Sequence, residues 1–157
     1  MVIEFWVPGI PKPGGSKKGF PIRTGKFKLN KKTGLLQEVI RVNVVDDNSK
    51  VMNWREDVVA ACLRVFHENP LRGPLRVDIY FFVTRPKSHY GTGINADVLK
   101  GSAPKYPISK PDKTKLLRST EDALTGVLWL DDTQVVGGWV VKLFGDRPGA
   151  KIKVEEL

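Results

Sequence analysis

KPDKTKLLRSTEDALTGVLWLDDTQV, residues 110–135, is the stretch whose reading decides this 157-residue chain. Pro111 favours a break before it and a helix start just after it, so a helix is predicted over about 112–125. Advancing about 100° per residue from Asp112, Leu116, Leu117, Thr120, Ala123 and Leu124 form one apolar stripe. Thr114, Lys115, Arg118, Glu121 and Asp122 share the opposite face. That face also suits a plain solvated helix with pairs such as Arg118 to Asp122, and Asp112 is favourable at a helix start through the dipole alone. Trp129 and Leu130 then anchor Asp131-Asp132 ahead of a strand predicted over about 133–144.

These acids matter because the rest of the chain is basic. It holds 26 Lys+Arg against 17 Asp+Glu, a formal charge of +9. Residues 1–50 carry ten basic and four acidic groups, residues 84–118 carry eight and two, and the remainder eight and eleven. The excess therefore sits in two segments rich in glycine and proline, expected to be basic loops at 11–35 and 84–111 on a near-neutral scaffold. Such loops suit phosphate backbones, where each neutralised phosphate releases counterions. Isolated carboxylates within that surface can hold a divalent metal against phosphate, which points to a metal-dependent nuclease. The plainer alternative is a capping Asp and a turn Asp-Asp on a basic surface.

The length suits one domain, 1–157, with a real core. Cys62 is the only cysteine; no internal disulfide can form, a reducing compartment fits, and the helical apolar pattern around it predicts a core residue. The N-terminus reads as a strand and not as a signal peptide, and no apolar run reaches membrane-spanning length. A soluble, cytoplasmic protein without a membrane role is expected. Strands are predicted at Val2–Val7, around Val39–Val45 with a break at Asp46-Asp47-Asn48, and at Leu75–Val83. Asn53 is expected to cap a helix from Trp54 to about His67, with Trp54, Val58, Ala61, Cys62, Val65 and Phe66 on its buried face. A strand near 150–155 closes the order βαβαββ: an α/β (α+β) class with a mixed sheet and two main helices. Lys17 and Lys18, in a glycine-flanked loop, suit backbone phosphate contact or simple solvation. Gly14-Gly15-Ser16-Lys17 lacks the spacing of a phosphate loop, and His67 and His89 share no metal spacing with Cys62.

The segment Lys110–Arg118, then Asp122-Ala123-Leu124-Thr125, then Trp129–Val135 resembles the signature of the RusA family of Holliday junction resolvases. Trp54-Arg55 and the basic stretch after the first strand are similar to its phage and prophage members. The resemblance implies an α/β homodimer that cuts four-way DNA junctions symmetrically with Mg²⁺ or Mn²⁺ and needs no small-molecule cofactor. By position it makes Asp112 and Asp132 the metal-holding, catalytic aspartates, with Asp131 and Thr114 as further candidate ligands. Arg118 takes the place of a familiar lysine, which keeps the charge but not the point-charge geometry. Lys17, Lys18, Lys26, Lys28, Lys113 and Lys115 are expected on the DNA.

Thr114 stands where the more familiar pattern has a second aspartate. Glu121 shares its helix face about 10 Å further along the axis, and can replace the lost carboxylate only if the metal lies between them. A catalytically weakened, branched-DNA-binding relative is the alternative this substitution leaves open. For the dimer, the four tryptophans and the strand around Val135–Phe144 offer apolar surface.

Overall fold

Residues 1–14, 17–46 and 49–157 are described by a computed structural model, with side chains described outside 17–20, 42–46 and 49–52. The strands are β1 (Val2–Pro8), β2 (Lys17–Leu29), β3 (Leu36–Asp46), β4 (Leu75–Thr84), β5 (Val135–Gly137), β6 (Val140–Gly145) and β7 (Gly149–Glu156); the helices are α1 (Ser49–Leu63) and α2 (Lys113–Leu124). By internal contacts the chain divides into one unit of Met1–Gly14 with Lys50–Leu157 and a second of Gly15–Ser49. The mixed α/β class with two helices is as expected.

The larger unit is built on one sheet. β7 lies between β1 and β4 and is antiparallel to both, while β5 and β6 both run parallel to β4 on its other edge. Strict alternation in β1 sends Ile3, Phe5 and Val7 inward, together with Ala150, Ile152 and Val154 of β7. Leu75, Val77, Ile79 and Phe81 of β4 join Trp54, Val58, Ala61 and Cys62 of α1 and Leu116, Ala123 and Leu124 of α2 in the same core. Burial pushes the Cys62 thiol up to about 11, consistent with a core residue and not a nucleophile. The two helices are also tied together: the Trp54 indole donates to Thr120 Oγ1 at 3.2 Å, and Arg55 meets Asp122 at 2.7 Å.

Several expectations are corrected. α1 starts at Ser49, so Asn53 lies inside it and caps nothing; it ends at Leu63, and Val65, past a turn back to Cys62, is exposed. The anticipated break at Asp47-Asn48 and the Gly15-Ser16 part of the glycine loop lie outside the described residues. Residues 17–29 are not loop but strand, paired with β3 in a two-stranded hairpin. A register shift between Arg23 and Phe27, around Gly25 at φ 66°, interrupts the alternation that would have betrayed it. The 84–111 connection is also more ordered than expected. It carries 3₁₀ turns at Lys87–His89 and Gly93–Asn95 and a Tyr90–Leu99 bridge. Arg85 pins it by stacking 4.0 Å over the Phe144 ring while donating to the Pro104 carbonyl at 2.8 Å. Of the tryptophans expected to supply apolar surface, Trp54 and Trp129 are wholly interior. No helix among the described residues is long and apolar enough to cross a membrane.

The single strand anticipated over 133–144 is split at Gly138-Trp139. Gly138 has φ 147°, and a Cβ there would fall 1.8 Å from the Val77 carbonyl oxygen. The close approach lets the Trp139 amide donate to Asp78 Oδ1 at 2.8 Å while its carbonyl accepts from Ile79 at 2.7 Å. Gly138→Ala is therefore expected to cost about 2–4 kcal/mol of unfolding free energy, read by urea denaturation. A loss within experimental error would show that β4 and β6 can separate there freely.

Candidate functional site

Asp112 occupies the N-cap position of α2 but makes no side-chain capping bond; its carbonyl accepts from the Leu116 amide at 3.1 Å. The carboxylate is thus left available, exposed, with the Lys115 ammonium 3.9 Å away. Two contacts fix this corner. Gly14 donates its amide to the Lys115 carbonyl at 2.9 Å, laying residues 11–14 against the helix. Lys142 of β6 donates to the carbonyls of Ser109 and Pro111, at 2.6 and 2.9 Å. Between them lies an open groove of about 350 Å³, lined by Pro11, Lys12, Pro13, Lys110, Pro111, Asp112 and Lys115 together with Ile10. One carboxylate among three ammonium groups suits a phosphodiester backbone with a cation beside it. Sequence reading had placed Lys115 here but gave no role to Lys12 or Lys110, because the first comes close only through tertiary packing.

The acid pair follows the C-terminal end of α2. Leu128 donates to the Leu124 carbonyl at 2.8 Å, and Trp129 bridges to Thr125 and Leu71. Asp131 and Asp132, which follow, have different tasks. Asp131 Oδ1 accepts from the Thr133 amide at 2.9 Å and the Thr133 hydroxyl at 2.7 Å, capping the 3₁₀ turn Asp132–Gln134. Those bonds hold its carboxyl below the ordinary range. Gln134 closes the box: its Oε1 accepts from the Leu130 and Asp131 amides at 2.9 Å, and its Nε2 donates to the carbonyls of Leu71 and Gly73. This reciprocal cap was legible as Asp-x-x-Gln and was not read.

Asp132 is exposed, and its carbonyl accepts from the Val135 amide. Its neighbour across the helix is Glu121, whose carboxyl is raised first by burial and then by the charges of Asp132 and Asp122. Glu121 and Asp112 are nine residues apart on α2, about 13 Å of axis. The structure thus sets Glu121 beside Asp132, and Lys115 beside Asp112. Thr114, Lys113 and Arg118 are exposed on the helix. Asp122 pairs with Arg55 and not with Arg118, which makes no ion pair with a described residue. Of the other lysines, Lys26 and Lys28 line a basic groove of the hairpin with Thr24, Phe27, Val39 and Arg41; the side chains of Lys17 and Lys18 lie outside the described residues.

Among the described residues no three His, Cys, Asp or Glu side chains stand together as a ready-made metal cage. The exposed carboxylates of Asp112 and Asp132 and the Thr114 hydroxyl are oxygen donors of the type Mg²⁺ takes, one or two carboxylates with water and phosphate oxygens completing the octahedron.

Comparison with known proteins adds a family. Residues 19–155 match the family described as endodeoxyribonuclease RusA. The chain is also 26% identical over 158 residues to the uncharacterized protein YqaN of Bacillus subtilis, covering 99% of this chain and 96% of that protein.

The crowding at Glu121 has a measurable consequence. A carboxyl raised in the folded state destabilises the fold once pH exceeds its unfolded value, and has no such effect below it. Glu121→Gln should therefore raise the melting temperature at pH 7, with the gain vanishing below about pH 4. Equal gains at both pH values would mean that ionisation of the buried, crowded carboxyl is not the cause.

Proposed function

We propose that this chain, which belongs to the RusA family of endodeoxyribonucleases, resolves four-way DNA junctions by metal-dependent, paired phosphodiester hydrolysis. A nuclease with a general Holliday junction resolvase role follows from the family. The metal dependence, the pairing of cuts and the assignment of residues are our reading. The observation that carries it is the groove at the start of α2, which Asp112 lines together with Lys12, Lys110 and Lys115. A carboxylate alone would repel DNA. Three lysines around it draw the phosphate in, and the carboxylate can then hold the cation that the phosphate needs.

In this reading Asp112 and Asp132 hold Mg²⁺ or Mn²⁺, with Thr114 joining directly or through water. When bound, the ion lowers the pKa of a ligated water and neutralises charge on the phosphate. Arg118, with no ion pair to a described residue, supplies positive charge toward the phosphate as negative charge grows there. Asp131 holds the turn that presents Asp132 and has no free first lone pair on Oδ1 for a metal. Lys113 and Lys115 of the helix, and Lys26 and Lys28 of the hairpin with Lys17 and Lys18 at its base, contact the DNA backbone. The whole chain, 1–157, acts as one nuclease domain in the cytoplasm of a bacterium, as a prophage-type member. Two cuts on opposed strands need two sites of matched polarity, which a homodimer supplies.

A synthetic four-way junction assayed with and without Mg²⁺ tests this. Cleavage should require the metal, and Asp112→Asn and Asp132→Asn should each slow it by at least about 100-fold with junction binding largely retained. Parent-level cutting by either variant overturns the assignment. Binding without cutting by the parent, in Mg²⁺ and Mn²⁺ alike, would favour the weakened relative that Thr114 suggests.

Binding has its own test. The double variant Lys26→Glu, Lys28→Glu should weaken affinity and reduce the slope of log affinity against log salt by about 2, one counterion per lost contact. An unchanged slope would put the DNA surface elsewhere.

A further inference from the structure

The hairpin of β2 and β3 has two unlike faces. Residues directly opposite in an antiparallel pair share a face, as do residues two apart along a strand. Arg23 stands opposite Ile40, Phe27 opposite Glu38, and Leu29 opposite Leu36. Ile40, Glu38 and Leu36 alternate along β3, so all six residues lie on one face. The other face carries Lys28 opposite Gln37 and Ile22 opposite Arg41.

The first face is apolar and open. Phe27 is 61% exposed, Leu29 62%, Leu36 70% and Ile40 54%. At such exposures four large side chains offer roughly 400 Å², within the range of the largest apolar patches that soluble monomers show. That is about half of the ~800 Å² each partner buries in a standard interface. A two-stranded hairpin is also marginal by itself in water and gains most from having one face covered.

We infer that this stripe is the surface through which two copies of the chain pair, an inference that rests on the homodimer in the reading above. The charges choose the occupant. Arg23 and Glu38, 3.9 Å apart along the stripe, cancel, so the face has no net attraction for a polyanion; the basic groove with Lys26, Lys28 and Arg41 does. A two-fold axis through the stripe brings each Arg23 to the partner's Glu38, and the same patch satisfies itself twice.

The full-length chain at micromolar concentration, followed by sedimentation velocity, tests this. The parent should sediment as a dimer, and Leu36→Ser should shift it to monomer while leaving the melting temperature of the core unchanged. Because a changed hairpin can simply misfold, charge reversal gives a second arm. Arg23→Glu and Glu38→Arg should each weaken dimerisation at least 10-fold alone, and an equimolar mixture should regain it, since opposite charges then meet only between chains. A dimeric parent whose three variants all stay dimeric overturns the stripe but leaves the homodimer intact. A dimeric parent whose variants stay dimeric but lose junction affinity also overturns it, and assigns the stripe to DNA. A monomeric parent, with or without junction DNA, overturns both.

Discussion

Four hydrogen bonds from one uncharged side chain hold the acidic turn to the sheet. Gln134 ties Leu130 and Asp131 on one side to Leu71 and Gly73 on the other, so the turn cannot drift without leaving the part-buried carbonyls of Leu71 and Gly73 unpaired. That penalty, about 1–3 kcal/mol per orphaned group, is larger than the net gain from any single bond. Asp131 is drawn into the same network as acceptor. The consequence is a difference between adjacent aspartates: the carboxylate of Asp131 caps the turn, while that of Asp132 stands exposed beside it. Loss of the glutamine would loosen Asp132 without touching it.

α2 does for Asp112 what Gln134 does for Asp132, by different means. Its apolar stripe fixes the helix on the core, and the Gly14 and Lys142 contacts fix its first turn. The charged face is then sorted by partner. Asp122 is neutralised by Arg55 across the helix pair, Asp112 has Lys115 near it, and Glu121 is pressed against further negative charge. A chain with so much positive charge elsewhere has kept one locally anionic spot.

How much of this was legible follows from how local each signal is. The stripe of α2 and the strand at β1 are written in consecutive residues, and both were read. The motif around Asp112 and Asp131-Asp132 was read through its family likeness, and the family match agrees. β2 was not, because its register shifts around Gly25 and because lysines and one proline stand among its apolar residues. Lys12 escaped notice for another reason: it reaches the groove only because residues 11–14 pack on a helix far away in sequence. The Arg118 to Asp122 pairing suggested by spacing gave way to Arg55, since a neighbouring helix offered a less exposed partner at closer range.

The placement of β7 has a bearing on how the protein comes to be folded at all. β1, synthesised first, finds its sheet partner in residues 149–156, and β4 needs the same strand on one of its edges. Until those residues emerge from the ribosome, Ile3, Phe5 and Val7 have no ladder to join and their apolar side chains stay open to other chains. Contacts of such sequence separation are slow to close. The nascent chain therefore cannot close this sheet until residues 149–156 are available, and any premature stop before residue 149 removes the centre of the sheet and not its edge.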